Sequence, residues 1–240
     1  MKHSINAGIR VEPPKEPIKY RCTFIVPPSK KKTIVTKKDK RKFTEEKTQQ
    51  TMLSLGAAAQ LHILAEKAGR RKSICLEIGS GIGDSGIIIG TAIKKKDGRL
   101  FSIDSFLIPP RFLKEWGGKL SWGPEVYRKN LKRFGIDPII IIGNSIEIVP
   151  LFKNKFFDLI WIDGCHEYKI VKNDILNSIP KLKKNGILCG HDFRREPDVP
   201  SNGVKTAVKE IFKDNFWLPK GIKGGRIWVM GKKEKFLSLS

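Results

Sequence analysis

The stretch CLEIGSGIGDSG contains two overlapping glycine patterns, and each could hold a nucleotide-containing ligand. Gly81, Gly83 and Gly86 have the G-x-G-x-x-G spacing of dinucleotide-binding turns. Gly79, Gly81 and Gly83 form a second pattern, with Glu77 two residues before its first glycine. In both patterns the glycines permit a tight turn and a close approach of the backbone to a ligand. The first pattern would imply hydride transfer, and the second would imply methyl transfer.

Two features favour the pattern that begins at Gly79. If the turn began at Gly81, Gly79 and Ser80 would have to lie within the end of the preceding strand, where glycine is unfavourable. Glu77 would also end that strand next to the ligand. A carboxylate is unwelcome beside a pyrophosphate, but it suits a cationic ligand such as the amino group and sulfonium of S-adenosylmethionine. Asp104, which ends FSID, could accept hydrogen bonds from ribose hydroxyls under either interpretation.

Acidic and imidazole side chains end two later predicted strands. Asp163 ends FFDLIWID, and His191 and Asp192 lie at the end of GILCGHDF. Because the carboxyl ends of parallel strands face one crevice, we expect these side chains to converge. Oxygen ligands suit Mg²⁺, while a histidine ligand shifts the preference toward Mn²⁺ or another transition ion. All three residues could bind a metal, or Asp163 and Asp192 alone, or they could serve as caps and turn residues without metal.

The sequence resembles the class I S-adenosylmethionine-dependent methyltransferases over residues 73–229. LEIGSGIGDSG is similar to their cofactor loop, and the similarity continues through FSIDSF, IIGNS and GVKTAVKEIF. The run IDGCHEYKIVKND with the later HD is similar to a metal-dependent O-methyltransferase branch that includes macrolide-sugar methyltransferases. The resemblance implies transfer of a methyl group from S-adenosylmethionine to a hydroxyl of a sugar-containing or other small metabolite, assisted by Mg²⁺ or Mn²⁺.

Matching positions carry further roles over from the family. The resemblance implies that Ser85 binds the methionine carboxylate and that Asn144 and Ser145 meet the adenine ring. His166 would take the proton of the acceptor hydroxyl, close to the metal ligand Asp163. The residues expected to hold the cofactor are Glu77, Gly79, Gly81, Gly83, Ser85, Asp104, Asn144 and Ser145.

The elements that must position these residues alternate between strands and helices after Gly69. Strands that are apolar throughout and alternate with helices indicate a parallel sheet covered on both faces. With the resemblance, this predicts a Rossmann-like, doubly wound α/β fold whose mostly parallel seven-stranded sheet has an antiparallel last strand. Helical spacing of apolar residues over 45–68, with Thr44 as the N-cap, predicts a helix before the first strand. The aromatic segment 106–123 is predicted to be a substrate lid or an ordinary insertion.

The formal net charge is +23, from 47 Lys and Arg against 24 Asp and Glu. Residues 1–43 are predicted to be a basic N-terminal arm, followed by a methyltransferase domain over 44–240. The charge indicates a polyanion partner such as RNA, or a solvated basic surface. An RNA-modifying methyltransferase is therefore the alternative function, and an NAD-dependent oxidoreductase is a further one.

The remaining composition suggests where the protein acts. No apolar run approaches the roughly 18–20 residues that cross a bilayer, and the N-terminus lacks the apolar region of a signal peptide. The four cysteines have no C-x-x-C spacing. We therefore expect a cytoplasmic protein with reduced thiols and no membrane span. The resemblance implies that it could form a homo-oligomer.

Overall fold

The computed structural model describes residues 53–107, 123–193, 203–219 and 226–231. The helices are α1 Leu55–Ala68, α2 Asp84–Ile93, α3 Pro124–Lys132, α4 Ser145–Ile148, α5 Tyr168–Ser178 and α6 Gly203–Phe212. The strands are β1 Ile74–Ile78, β2 Arg99–Asp104, β3 Ile139–Ile142, β4 Phe157–Ile162, β5 Leu182–Gly190, β6 Phe216–Trp217 and β7 Trp228–Met230.

The strands form one sheet in the order β3-β2-β1-β4-β5-β7-β6. Strands β1 to β5 pair in parallel, whereas β7 runs antiparallel to both β5 and β6. The predicted Rossmann-like fold with an antiparallel last strand is thereby confirmed. The position of β6 was missing from the sequence prediction, because a two-residue strand shows no periodicity.

The central strands are buried on both faces, as their mostly apolar sequences predict. All residues of β1 and β4 are buried. Alternate residues of β4 enter different hydrophobic clusters: Leu159 and Trp161 pack with α1 and α2, while Ile160 and Ile162 pack with α5 and α6. This two-sided burial aligns the strands and brings their carboxyl ends together along one edge.

Helix α1 begins later than the sequence pattern predicts. Its N-cap is Ser54, whose Oγ accepts a hydrogen bond from the Ala57 N–H at 3.2 Å. The predicted cap Thr44, the arm over 1–43, the boundary at 44 and most of the predicted lid lie outside the described residues.

The described cysteines are unpaired, and none of the described helices has the length and apolar character needed to cross a bilayer. Cys75 and Cys189 are buried in the core, where burial raises the pKa of both thiols. They act as small apolar side chains, in agreement with the prediction of reduced thiols.

Candidate active site

The glycine turn between β1 and α2 lies against the end of β4. Gly79, Gly81 and Gly83 have φ angles of +89°, +51° and +108°, in the region that favours glycine. A Cβ atom at Gly79 would clash with the backbone of Asp163 and Gly164. The predicted cofactor turn therefore packs directly against the start of the predicted metal site.

Asp104 holds this turn in place. Its Oδ2 accepts hydrogen bonds from the backbone N–H groups of Ser80 at 2.7 Å and Gly81 at 2.9 Å. Its Oδ1 accepts one from Phe106 N–H at 2.7 Å. Burial raises the pKa of Asp104, and these backbone donors oppose the shift. The predicted ribose ligand is thus also the residue that orders the turn, and Oδ1 keeps acceptor capacity for a further donor.

Glu77 lies in a fully buried hydrogen-bonded network rather than at an open surface. It accepts hydrogen bonds from the Tyr127 hydroxyl and from Ser85 Oγ, the latter at 2.8 Å. The Tyr127 and Ser102 hydroxyls lie 2.6 Å apart. Burial raises the pKa of Glu77 to about 7, although its hydrogen bonds with Tyr127, Ser85 and Ser102 oppose the shift. Ser85, predicted to bind a carboxylate ligand, here bonds Glu77.

Tyr127 was not among the sequence-predicted site residues. It is fully buried on α3, one helical turn before the buried Leu131. The sequence feature that could have identified it is that Tyr127 and Leu131 form the apolar face of an otherwise polar helix, where a tyrosine hydroxyl becomes buried. A buried tyrosine needs a partner for its hydroxyl, and Glu77 and Ser102 provide it.

Asn144 and Ser145 begin α4 directly after β3. The Asn144 side chain caps this helix, because its Oδ1 accepts a hydrogen bond from Ile146 N–H at 3.1 Å. Ser145 Oγ donates to Asp174 Oδ1 at 2.6 Å. Burial raises the pKa of Asp174 to about 7, and the bond from Ser145 opposes this. Ser145, one of the two predicted adenine contacts, is thus anchored to α5 through Asp174.

Asp163, His191 and Asp192 do converge, as the parallel sheet predicts. One ligand atom from each lies within 4.8 Å of the other two. His191 Nδ1 lies 3.7 Å from Asp163 Oδ1 and 3.3 Å from Asp192 Oδ2. Asp192 adopts a φ angle of +55°, a sparsely populated backbone conformation that clusters at functional sites.

Two further side chains complete this cluster around Asp192. His166, 4% exposed, places its Nε2 3.1 Å from Asp192 Oδ2. Arg226, just before β7, lies 3.7 Å from Asp192 Oδ1 through its Nη1. Sequence reasoning did not include Arg226, since only the reversed direction of β7 brings it to this edge of the sheet.

Electrostatics in the cluster follow from burial and proximity. Burial raises the pKa of Asp163 to about 8, with His191 opposing and Asp192 adding to the shift. Burial acts to lower the pKa of His191, but the two carboxylates outweigh it and the pKa is raised. Two buried carboxyl groups this close together favour a ligand that brings positive charge, because such a ligand stabilises their ionised forms.

A small cavity of about 10 Å³ lies next to the cluster, which is room for about one water-sized sphere. Its lining includes Asp163, His166 and His191, together with Val204 and Trp228. Asp163 after β4, His191 after β5 and His166 in the intervening loop therefore border the same small cavity.

Comparisons with known proteins identify a family match and a shared fold. Residues 76–193 match a family described as a methyltransferase domain. The O-methyltransferase TomG from Streptomyces achromogenes, solved with SAM, is 18% identical, with 75% of this chain and 81% of that chain covered and a TM-score of 0.52. An O-methyltransferase from Bacillus cereus, solved with SAH, is 17% identical, with coverage of 75% and 82% and a TM-score of 0.53.

Another solved structure with this fold is described as acting on a different class of substrate. A putative rRNA methylase from Clostridium thermocellum is 10% identical, with 73% of this chain and 97% of that chain covered and a TM-score of 0.52. No curated protein matches the sequence. At these identities the structural similarities establish a shared fold.

Proposed function

We propose that this chain, whose residues 76–193 match a methyltransferase-domain family, is a class I S-adenosylmethionine-dependent enzyme that methylates a hydroxyl oxygen of a sugar-containing or other small metabolite, assisted by a divalent cation. One observation carries the proposal: Asp163, His191 and Asp192 converge beside His166. Methylation of a hydroxyl requires a lowered acceptor pKa and a group that accepts the proton. This cluster offers residues for both tasks.

The cluster fits a divalent cation by its donor chemistry and its size. Carboxylate oxygens with a few waters suit Mg²⁺, and an imidazole ligand favours Mn²⁺. Within the described residues, His191 Nε2 is a buried atom without a hydrogen-bond partner, and the adjacent cavity has room for a water or an ion. When bound, the cation would polarise the acceptor hydroxyl and lower its pKa.

The chain's own residues would divide the remaining work. Asp163 and Asp192 would hold the cation, with His191 as a third ligand or as their charge partner. His166 would accept the proton of the acceptor hydroxyl. The Asp192 carboxylate, whose Oδ2 lies 3.1 Å from His166 Nε2, would orient this ring. The low exposure of His166 would limit exchange of that proton with bulk water.

The donor would bind across the glycine turn. Glu77 would pair with its amino group, Asp104 Oδ1 would accept from its ribose, and Asn144 and Ser145 would contact its adenine. Ser85 would have to leave Glu77 in order to bind the methionine carboxylate. The close packing of Gly79 against Asp163 supports donor and acceptor sites that adjoin each other.

The first test is calorimetric titration with S-adenosylhomocysteine, with Mg²⁺ and with chelator, and with NAD as the control ligand. Methyl transfer to hydroxylated sugars and other small acceptors follows under the same two metal conditions. We expect nucleoside binding without NAD binding, and transfer that chelator abolishes. Tight NAD binding, or transfer unaffected by chelator, would contradict the proposal.

A variant pair separates the metal role from general effects. Asp163→Asn removes the ligand charge with little change in volume, and it should abolish metal-dependent transfer while retaining S-adenosylhomocysteine binding. Asp137→Asn is the control, because Asp137 is an exposed acid that pairs with Arg128 outside the cluster. Loss of transfer in both variants would argue against a specific role for Asp163.

An RNA-modifying methyltransferase is the second candidate, favoured by the net charge of +23. Incubation with radiolabelled S-adenosylmethionine and total RNA tests it directly. Label in RNA, with none in hydroxylated small molecules, would replace the first candidate.

A further inference from the structure

Basic side chains collect at the amino end of the parallel sheet, opposite the candidate active site. They come from the segment RRK before β1, the segment KKKDGR that leads into β2, and the end of α3 before β3. We define the amino-end basic surface by its exposed cations, which are Arg70, Arg71, Lys72, Lys94, Lys95, Lys96, Arg99, Lys132 and Arg133.

Hydrogen bonds join the three segments into one surface. Lys72 N–H donates to the Lys96 carbonyl at 2.7 Å. Lys96 Nζ donates to the Gly69 carbonyl at 2.7 Å, and Lys94 Nζ donates to the Phe134 carbonyl at 2.6 Å. These hydrogen bonds hold the backbones of the three segments in place relative to one another.

Acidic partners do not neutralise this surface. Within the described ranges none of its cations forms an ion pair with a carboxylate. Asp97 lies inside the second segment, Asp137 follows the third and pairs with Arg128 at 3.4 Å, and the nearby Glu66 contacts His62 at 3.4 Å. The remaining excess of like charge is unfavourable in the free protein, and a bound polyanion would relieve it.

Helix stabilisation explains part of the surface but not all of it. Lys94 and Lys132 lie at or next to helix C-termini, where cations interact favourably with the helix dipole. Arg70, Arg71 and Arg99 lie outside helices. These three arginines therefore need another explanation, unlike Arg133, which caps the C-terminus of α3, and their planar guanidinium groups suit bidentate contacts to phosphate.

We propose that the amino-end basic surface binds the phosphate backbone of structured RNA. Among the large exposed apolar side chains of the described residues, Ile139 begins β3 after the third segment and the others lie farther along the chain from all three segments, so the surface offers little apolar area for insertion into a lipid surface. It also presents no exposed aromatic ring on which a base could stack. Contacts would be to phosphates, and binding would be steeply salt-dependent with little sequence preference.

This role goes beyond the proposed methyl transfer. The five residues of β1, at roughly 3.3 Å each, separate the surface from the site by about 15 Å or more. RNA bound here would contact the protein away from Asp163 and His166.

The test variant combines Arg70→Glu, Arg71→Glu and Lys95→Glu. These exposed side chains make no hydrogen bond or ion pair within the described part of the chain. Lys94 and Lys96 are left in place because their side chains bond backbone carbonyls. The matched control combines Lys169→Glu, Lys209→Glu and Lys213→Glu, which make the same charge change at exposed positions on α5, on α6 and directly after α6.

Fluorescence anisotropy of a labelled RNA hairpin with the full chain provides the measurement. At about 100 mM salt we expect the test variant to bind about tenfold more weakly than wild type, and its salt slope to fall by about three. The control variant should stay within about threefold of wild type. Equal losses in both variants, or no loss in the test variant, would overturn the proposal.

Two further measurements distinguish other causes. Vesicles rich in phosphatidylserine replace RNA in a parallel series, and preference for vesicles over RNA would overturn the proposal in favour of a lipid partner. S-adenosylhomocysteine affinity should be unchanged in both variants, which separates RNA binding from the methyl-transfer site. If the charge reversals prevent folding, the same three positions changed to Gln should still weaken RNA binding and lower the salt slope.

Discussion

Glu77 connects protonation to donor binding, because its carboxylate is buried with Tyr127, Ser85 and Ser102 as its hydrogen-bond partners. With a pKa of about 7, it is largely protonated in slightly acidic solution. A cationic amino group would prefer the ionised form. The hydrogen bonds from Tyr127 and Ser85 lower the pKa of Glu77 and therefore lower the pH at which its carboxylate can bind the donor's amino group.

The affinity for S-adenosylhomocysteine should rise as pH increases from about 6 to 8, following ionisation of Glu77. In Glu77→Gln the affinity should be lower by about 1.5–3 kcal/mol at pH 8, the usual range for a charged hydrogen bond, and it should lose this pH dependence. Calorimetry at several pH values checks both effects. Tyr127→Phe should shift the rise to higher pH, because it removes a donor that favours the carboxylate. An unchanged profile in both variants would refute the role of Glu77.

Glu77 should also affect the stability of the ligand-free protein. Between its ordinary value near 4.5 and its folded pKa of about 7, the folded state holds a proton that the unfolded state releases. The free energy of unfolding should therefore fall as the pH rises through that window, by up to about 3 kcal/mol for this group. Urea unfolding at stepped pH should give a flatter profile for Glu77→Gln. Part of the slope should remain, since burial also raises the pKa of Asp163 and Asp174.

At the scale of elements, the β1–α2 turn joins the donor site to the acceptor site. Gly79→Ala adds a Cβ at φ +89° that clashes with Asp163, so it combines backbone strain with steric overlap. Gly231→Ala is a matched control, because its φ of +94° is similar and nothing lies within 4 Å of the added atom. Gly231→Ala should cost about 1–3 kcal/mol of backbone strain.

Gly79→Ala should cost measurably more than this control in chemical denaturation, and it should weaken S-adenosylhomocysteine binding. If the two variants are equally destabilised, strain alone accounts for Gly79. If Gly79→Ala binds the nucleoside normally, the turn does not position the donor.

Sequence and structure agree most closely where one physical cause dominates. Two-sided burial makes β1 and β4 mostly apolar, so the parallel sheet and the meeting of Asp163 with His191 and Asp192 could be predicted. Tyr127 and Arg226 could not be, since their contacts depend on how α3 packs and on the reversal of β7. The burial of Glu77 beside Ser85 was likewise hidden, because a strand-end position alone does not reveal which neighbours cover the side chain.

At the scale of the whole molecule, a cation in the cluster should stabilise the fold by mass action. At one hundred times its dissociation constant, a ligand that binds only the folded state adds about 2.7 kcal/mol. Thermal unfolding with Mn²⁺ or Mg²⁺ should therefore show a higher midpoint for wild type than with chelator. Asp163→Asn should show little metal-dependent shift, while Asp137→Asn should behave like wild type. Equal shifts in all three proteins would place the ion elsewhere.

The reversal of β7 has a consequence for how acceptor preference could diversify. Connections that enter parallel strands lie away from the active site, whereas β7 runs antiparallel to β5, so that its first residues lie on the same side as the ends of β4 and β5. Arg226 reaches Asp192 from its position just before β7. Changes at Arg226 and Ile227 would thus remodel the acceptor's surroundings while the donor turn stays intact. We expect these two positions to be the most productive place to introduce a new substrate preference.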